Sequence, residues 1–255
     1  MSENVVLVKK EGNTCTLVMN RPRVMNALNL EMVVGLSKAL EEVSGDREIR
    51  VVIVEGAGDN FSTGADLSLL AQDFSGGEWL EAMKIFGKLV TLLREIPQPV
   101  ISKVRGAAVG GGCSIALAGD FVVASRDARF CLNFVHIGAA LDGGATYTLP
   151  RLVGLVKARE IALLGEFIGA EKAESVGLIY RSVPDKDLDR EVGLLAGTIA
   201  SKPPMAVSLI KEGLEESLGM SMKQVLEWEA AHQSIMLQTP EHKEIVGLFL
   251  KSRGK

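Results

Sequence analysis

Between Ile137 and Gly154 one acid stands alone: Asp142 is the only carboxylate from Asp127 to Glu160, set among apolar residues and glycines. A carboxyl in such surroundings loses hydration, its pKa rises, and it becomes suited to taking and returning a proton. The same side chain could instead cap a helix starting near Gly143, and both readings are open at this level. Two further segments offer chemistry through the backbone. Gly106–Ser114 (GAAVGGGCS) follows the apolar run Val100–Val104, and Phe61–Leu67 (FSTGADL) follows Arg50–Glu55 (RVVIVE). Consecutive glycines at a helix start let the main chain approach a ligand, with free N–H groups aimed at negative charge. One N–H from each segment, converging, would make an oxyanion hole. The plainer role for Gly110–Gly112 is tight packing of helix on strand.

Other chemistries lack their parts. No Lys-Ser or Lys-Thr pair follows the glycines, and the GxGxxG fingerprint is absent, so phosphate-loop and dinucleotide sites are excluded. There is no GxSxG elbow, and spacing offers Ser114 no catalytic partner. Three cysteines, Cys15, Cys113 and Cys131, form no CxxC pair, which argues against a disulfide scaffold or a standard zinc site. Cys113 reads as a small apolar helix residue facing the core. Histidine as a residue type can exchange protons at neutral pH, but His136, on a largely apolar strand, is expected as a hydrogen-bonded wall residue.

The elements that must hold these groups follow from periodicity. Val5–Val8 and Thr14–Met19 read as a hairpin closed by Glu11-Gly12-Asn13. Asn29 can cap a helix to about Val43, with Met32, Leu36, Ala39, Leu40 and Val43 on one face. Strands are expected at 50–55, 100–104 and 121–124. A helix is expected from about Glu78 to Arg94, stopped by Pro97 and Pro99, and a short apolar one from the glycine run to Ala118. This is a strand, strand, helix rhythm rather than a regular βαβα alternation. Beyond Leu149 helix formers dominate, near 156–165, 170–176, 186–201, 204–217, 221–236 and 240–250.

The chain of 255 residues is 47% hydrophobic and 24% charged, enough apolar material for a sizeable core. Its net charge of −4 gives no general field for nucleic acid. The charge-free stretch Gly106–Gly119 is shorter than the roughly 18–20 residues that span a bilayer, and Met1–Gly12 has no apolar segment after a basic start. A cytoplasmic protein with neither nucleic-acid nor membrane partners is expected.

Together with Asn20-Arg21-Pro22 and Asn26-Ala27-Leu28, the order GAD, GGGC, DGG…LPRLVG resembles the crotonase, or enoyl-CoA hydratase/isomerase, family over nearly the whole chain. The resemblance implies an α/β fold, a crotonase-like spiral of ββα repeats with a C-terminal helical trimerisation region. The spiral would occupy residues 1–200 and the helical region 201–255, in a homotrimer or dimer of trimers. It implies an acyl-CoA thioester substrate, no separate cofactor or metal, and an oxyanion hole from the N–H groups of Ala65 and Gly111. Substrate contacts would come from Ala27, from Gly64, Asp66 and Leu67, from Gly110, and from positions Ser114 and Phe134. Arg21 and Arg23 are ordinary surface charges or contacts to the CoA phosphates, and the resemblance favours the second for this region. Lys251 and Arg253 could reach a neighbour's CoA or be simply solvated.

The departures are informative. Hydratases that this chain resembles carry glutamates where it has Ser114 and Phe134. Addition of water needs one group to take a proton from water and another to deliver one to carbon, and neither residue does this at neutral pH. Moving a double bond needs one base. Asp142 falls on the aspartate similar to the base of the phenylacetate-pathway isomerases. An enoyl-CoA isomerase is therefore expected, with a hydratase or a weakly active acyl-CoA-binding paralogue as the alternatives.

Overall fold

The computed structural model describes residues 4–253; the first three residues of the N-terminal stretch, and the side chain of Arg253, lie outside the described residues. β1 (Val6–Glu11) and β2 (Thr14–Met19) form the expected antiparallel hairpin, with Glu11 opposite Thr14. α1 (Leu30–Ser44) starts where its cap predicts: the Met32 N–H donates to Asn29 Oδ1 at 2.9 Å. Its predicted apolar face is buried in full. β3 (Val51–Gly56) runs parallel to β2. A single helical turn, α2 (Leu67–Leu70), precedes α3 (Gly76–Glu95). Ser75 and Glu78 cap α3 reciprocally, which moves its start two residues ahead of the expected Glu78.

β4 (Val100–Val104) leads through β5 (Ala107–Val109) into α4 (Gly111–Ala118); β6 (Phe121–Ser125) and β7 (Arg129–Cys131) repeat the step. α5 (Ala145–Leu164), β8 (Ile168–Gly169), α6 (Ala170–Ser175), β9 (Arg181–Val183) and α7 (Asp185–Ala200) follow. The chain ends in α8 (Pro204–Ser217), α9 (Met222–Met236) and α10 (Pro240–Arg253). Two expectations are corrected. α5 begins at Ala145, in line with the reading of a helix starting near Gly143, so the segment expected near 156–165 is only its second half, beyond the break at Gly154 (φ 73°). The segment holding His136 is a 3-10 turn, Asn133–Ile137, not a strand, ended by Gly138 in the left-handed region.

The main sheet has the order β1-β2-β3-β4-β6-β9, and a second sheet the order β5-β7-β8. From β4 to β7 the chain alternates between them, so two successive turns of the spiral each lay one strand in each sheet and close with a helix; β8 then joins the second sheet beside β7, and β9 returns to the main sheet beside β6. Even the turn after β3 places Ser62 in a single bridge to Ala108 of β5. The central strands are parallel and buried on both faces, as the unbroken run Val51–Val54 demands. One face packs Leu17, Leu36, Leu40, Phe61 and Leu89; the other packs Val51, Ile53, Ile101 and Val123 against Leu188 and Val192 of α7. Each such side chain contributes about 1.5–3 kcal/mol by leaving water.

Candidate active site

Backbone crowding creates the centre of the site. Gly64 has φ 84°, and a Cβ there would meet Val109 O at 2.7 Å and Gly111 N at 3.2 Å. Only glycine lets the FSTGADL loop press this closely on the start of α4. That approach brings Gly64, and Ala65 after it, against Gly111 at the start of α4. Ala65 N–H has no acceptor among the described residues, and Gly111 N–H, first in α4, has no intrahelical one. Beneath the loop, buried Asn26 donates from Nδ2 to Ala57 O and Asn60 O at 2.9 and 2.7 Å, and Ser62 Oγ donates to Asn26 O at 2.8 Å. The Asn-Ala-Leu motif therefore serves as scaffold for the FSTGADL loop.

Ala65 and Gly111 both line a cavity of about 560 Å³ that Asp142 also lines, with Leu67, Gly110 and Phe134. Asp142 does not cap α5. Its carbonyl accepts the Ala145 N–H at 3.0 Å, the cap position belongs to Gly144, and no side chain caps the helix. Asp142 Oδ1 is instead buried with no hydrogen-bond partner. Burial alone pushes this carboxyl up to about 6. Two other acids line the cavity but are committed: Glu78 closes the Ser75 capping box, and Glu81 pairs with Lys84. The cavity is otherwise largely apolar, with Phe74, Met83 and Phe86 among its walls. A larger groove of about 660 Å³ runs between α8 and α9 but gathers none of the motif residues.

The remaining predicted contacts are not cavity walls. Arg21 Nη1 donates to Ala27 O at 2.6 Å and to Asp66 Oδ2 at 2.8 Å, bracing the FSTGADL loop. Asp66 also accepts from the N–H and Oγ of Ser68, which holds its pKa down to about 2. Ala27 is buried. Arg23 is exposed and makes no ion pair among the described residues. Ser114 is buried, its Oγ 3.2 Å from Asp142 O. His136 Nε2 lies 3.1 Å from Gly165 O, so it is hydrogen-bonded as expected. Burial pushes the Cys113 thiol up to about 12, leaving it an inert packing residue. Sequence reasoning missed Phe86: its place on the apolar stripe of α3 looks like ordinary core.

Ala65, Gly111 and one desolvated carboxylate thus share a single cavity at the centre of a two-sheet spiral. The enoyl-CoA hydratase/isomerase family model matches residues 9–254, and the chain belongs to this family. It is 34% identical over 252 residues to the 1,2-epoxyphenylacetyl-CoA isomerase of Escherichia coli, covering 98% of this chain and 96% of that one. It is likewise 34% identical to the crotonyl-CoA hydratase of Syntrophomonas wolfei, with the same coverage. The crystal structure of an enoyl-CoA hydratase from Bacillus anthracis superposes with a TM-score of 0.93 at 29% identity, over 97% of this chain and 96% of that one. The relatives carry names of both activities, and the family acts on acyl-CoA thioesters.

Proposed function

We propose that this family member is an enoyl-CoA isomerase that moves a double bond from the 3,4 to the 2,3 position with Asp142 as its one base. The observation that carries this reading is the Asp142 carboxyl itself: partly buried, unpartnered and free of any capping duty, in the same cavity as Ala65 and Gly111. The thioester oxygen would lie between the two N–H groups. Asp142 removes a proton from C2, and the C2–H electrons pass into a dienolate whose charge rests on that oxygen. The carboxylic acid then returns the same proton to C4, so the base is regenerated and nothing is added. A carboxyl with a pKa near 6 is ionised at pH 7.5 yet holds a proton readily enough to deliver it.

The hydratase reading is disfavoured by what stands at its two glutamate positions. Ser114 turns its hydroxyl to main-chain carbonyls, and Phe134 presents a buried phenyl ring that cannot hold water. A panel of 2-enoyl- and 3-enoyl-CoA esters, assayed separately for hydration and for double-bond migration, tests the choice. Migration should be fast and hydration very slow; the reverse would make the enzyme a hydratase that uses Asp142 on bound water.

We further propose a homotrimer or dimer of trimers. α8 and α9 bury none of their residues within the chain, and Leu214, Met222 and Phe249 are 67%, 75% and 63% exposed. Apolar faces of this extent need a partner surface.

A further inference from the structure

Ser114 occupies the place of a hydratase glutamate, yet it touches both arms of the catalytic apparatus. It lies one turn into α4 and is 2% exposed. Its Oγ is 3.4 Å from Gly110 O and 3.2 Å from Asp142 O. Gly110 precedes the residue that offers the oxyanion N–H, and Asp142 is the base. One hydroxyl proton thus sits between the carbonyls of the two segments that must act on one substrate. The Asp142 carbonyl also accepts the Ala145 N–H at 3.0 Å, so two donors from different elements hold that peptide group.

Contact adds to the hydrogen bond. A Cβ on Gly143, where φ is 55°, would lie 2.7 Å from Ser114 Cβ and 2.7 Å from Phe86 Cε1. The turn carrying Asp142 therefore rests directly on these two side chains. The same ring reaches the other arm, because a Cβ on Gly111 would lie 3.2 Å from Phe86 Cζ. Ser114 and Phe86 together fill the gap between the oxyanion glycine and the turn of the base.

Resting on the reading of Asp142 as base, we infer that Ser114 is a positioning residue, which with Phe86 fixes the distance and direction of the Asp142 carboxylate relative to the Gly111 N–H. One carboxylate must reach both C2 and C4 of a substrate whose oxygen is pinned at Gly111. Its placement matters steeply: misplacement by about 1 Å can cost 100-fold in rate.

The test compares wild type, Ser114→Ala and Asp142→Asn in double-bond migration on a 3-enoyl-CoA ester across a pH series, with circular dichroism confirming the fold. For Ser114→Ala, kcat should fall about 10- to 100-fold while KM stays within about twofold. The acidic limb of kcat should also move to lower pH, because a loosened turn admits water to the carboxyl. Ser114→Cys keeps the shape of the side chain, on a slightly longer bond, but weakens the donor; where circular dichroism shows it folded, it should change kcat and the limb in the same direction. A serine that matters only for folding would lower the melting temperature and leave the limb in place, and that result would overturn the positioning role. So would wild-type kcat and limb in a folded Ser114→Ala when Asp142→Asn is inactive, although the base assignment would then stand. Near-wild-type migration by Asp142→Asn would remove the base assignment and the positioning role with it.

Discussion

Asp142 carries a carboxyl that the fold has desolvated without supplying a partner, and this has opposite consequences for stability and for rate. Its pKa is raised from 3.8 to about 6, so the folded chain binds its proton more tightly than the unfolded chain does. Between these values the group's contribution to stability falls as pH rises, and above about 6 the folded state bears the full cost of an ionised buried group. Asp142→Asn should therefore melt at the same or a higher temperature than wild type at pH 7.5, with the difference vanishing below about pH 4. Calorimetry at the two pH values checks this; a variant clearly less stable at pH 7.5 would mean that the carboxylate holds the turn. Catalysis runs the other way. The base must be ionised, so kcat/KM should rise with pH through a midpoint near 6, read from an initial-rate profile.

At the scale of elements, the proposed oxyanion hole depends on how closely the FSTGADL loop approaches α4. Gly64→Ala would set a Cβ 2.7 Å from Val109 O on a backbone with φ 84°, forcing the loop and the Ala65 N–H away. Loss of one such donor costs about 100- to 1,000-fold in kcat. The variant should show that loss on migration, and unchanged kcat would show that the hole lies elsewhere. Much of this level is legible in the sequence. Asn29 and the apolar stripe of α1 predicted that helix, and the glycine triplet predicted α4. β5 was hidden inside the glycine run, because three small residues owe their extended form to pairing with β7. Val135-His136-Ile137 looked like a strand because β-branched residues favour one, but left-handed Gly138 closes the segment as a 3-10 turn. Whether Asp142 caps α5 could not be read from its neighbours. The answer depends on Gly143 and Gly144 both taking positive φ, which gives the cap position to Gly144 and leaves the carboxyl to the cavity.

At the scale of the molecule, the C-terminal helices are joined to the spiral by few but charged ties. Lys211 of α8 reaches Asp120 at 2.8 Å and also donates to Gln98 O at 3.1 Å, with its side chain 9% exposed. Lys211→Met would leave Asp120 without this partner beside a packed joint and should destabilise the protein by about 3 kcal/mol or more, measured by denaturant melts. A neutral result would mean that α8 docks through apolar contact alone. The exposed apolar faces of α8, α9 and α10 predict the mass of a trimer or hexamer in light scattering, and a monodisperse monomer would contradict the proposed assembly. Neither result bears on the chemistry.

The direct test of the chemistry is product analysis of one reaction: a 3-enoyl-CoA ester incubated with wild type and with Asp142→Asn, following 2-enoyl-CoA and 3-hydroxyacyl-CoA together. Wild type should form 2-enoyl-CoA with only a trace of the hydrated product, and the asparagine variant should bind the ester but migrate the double bond about 100- to 10,000-fold more slowly. Contradiction would come from 3-hydroxyacyl-CoA accumulating as the main product, or from an asparagine variant that isomerises at close to the wild-type rate.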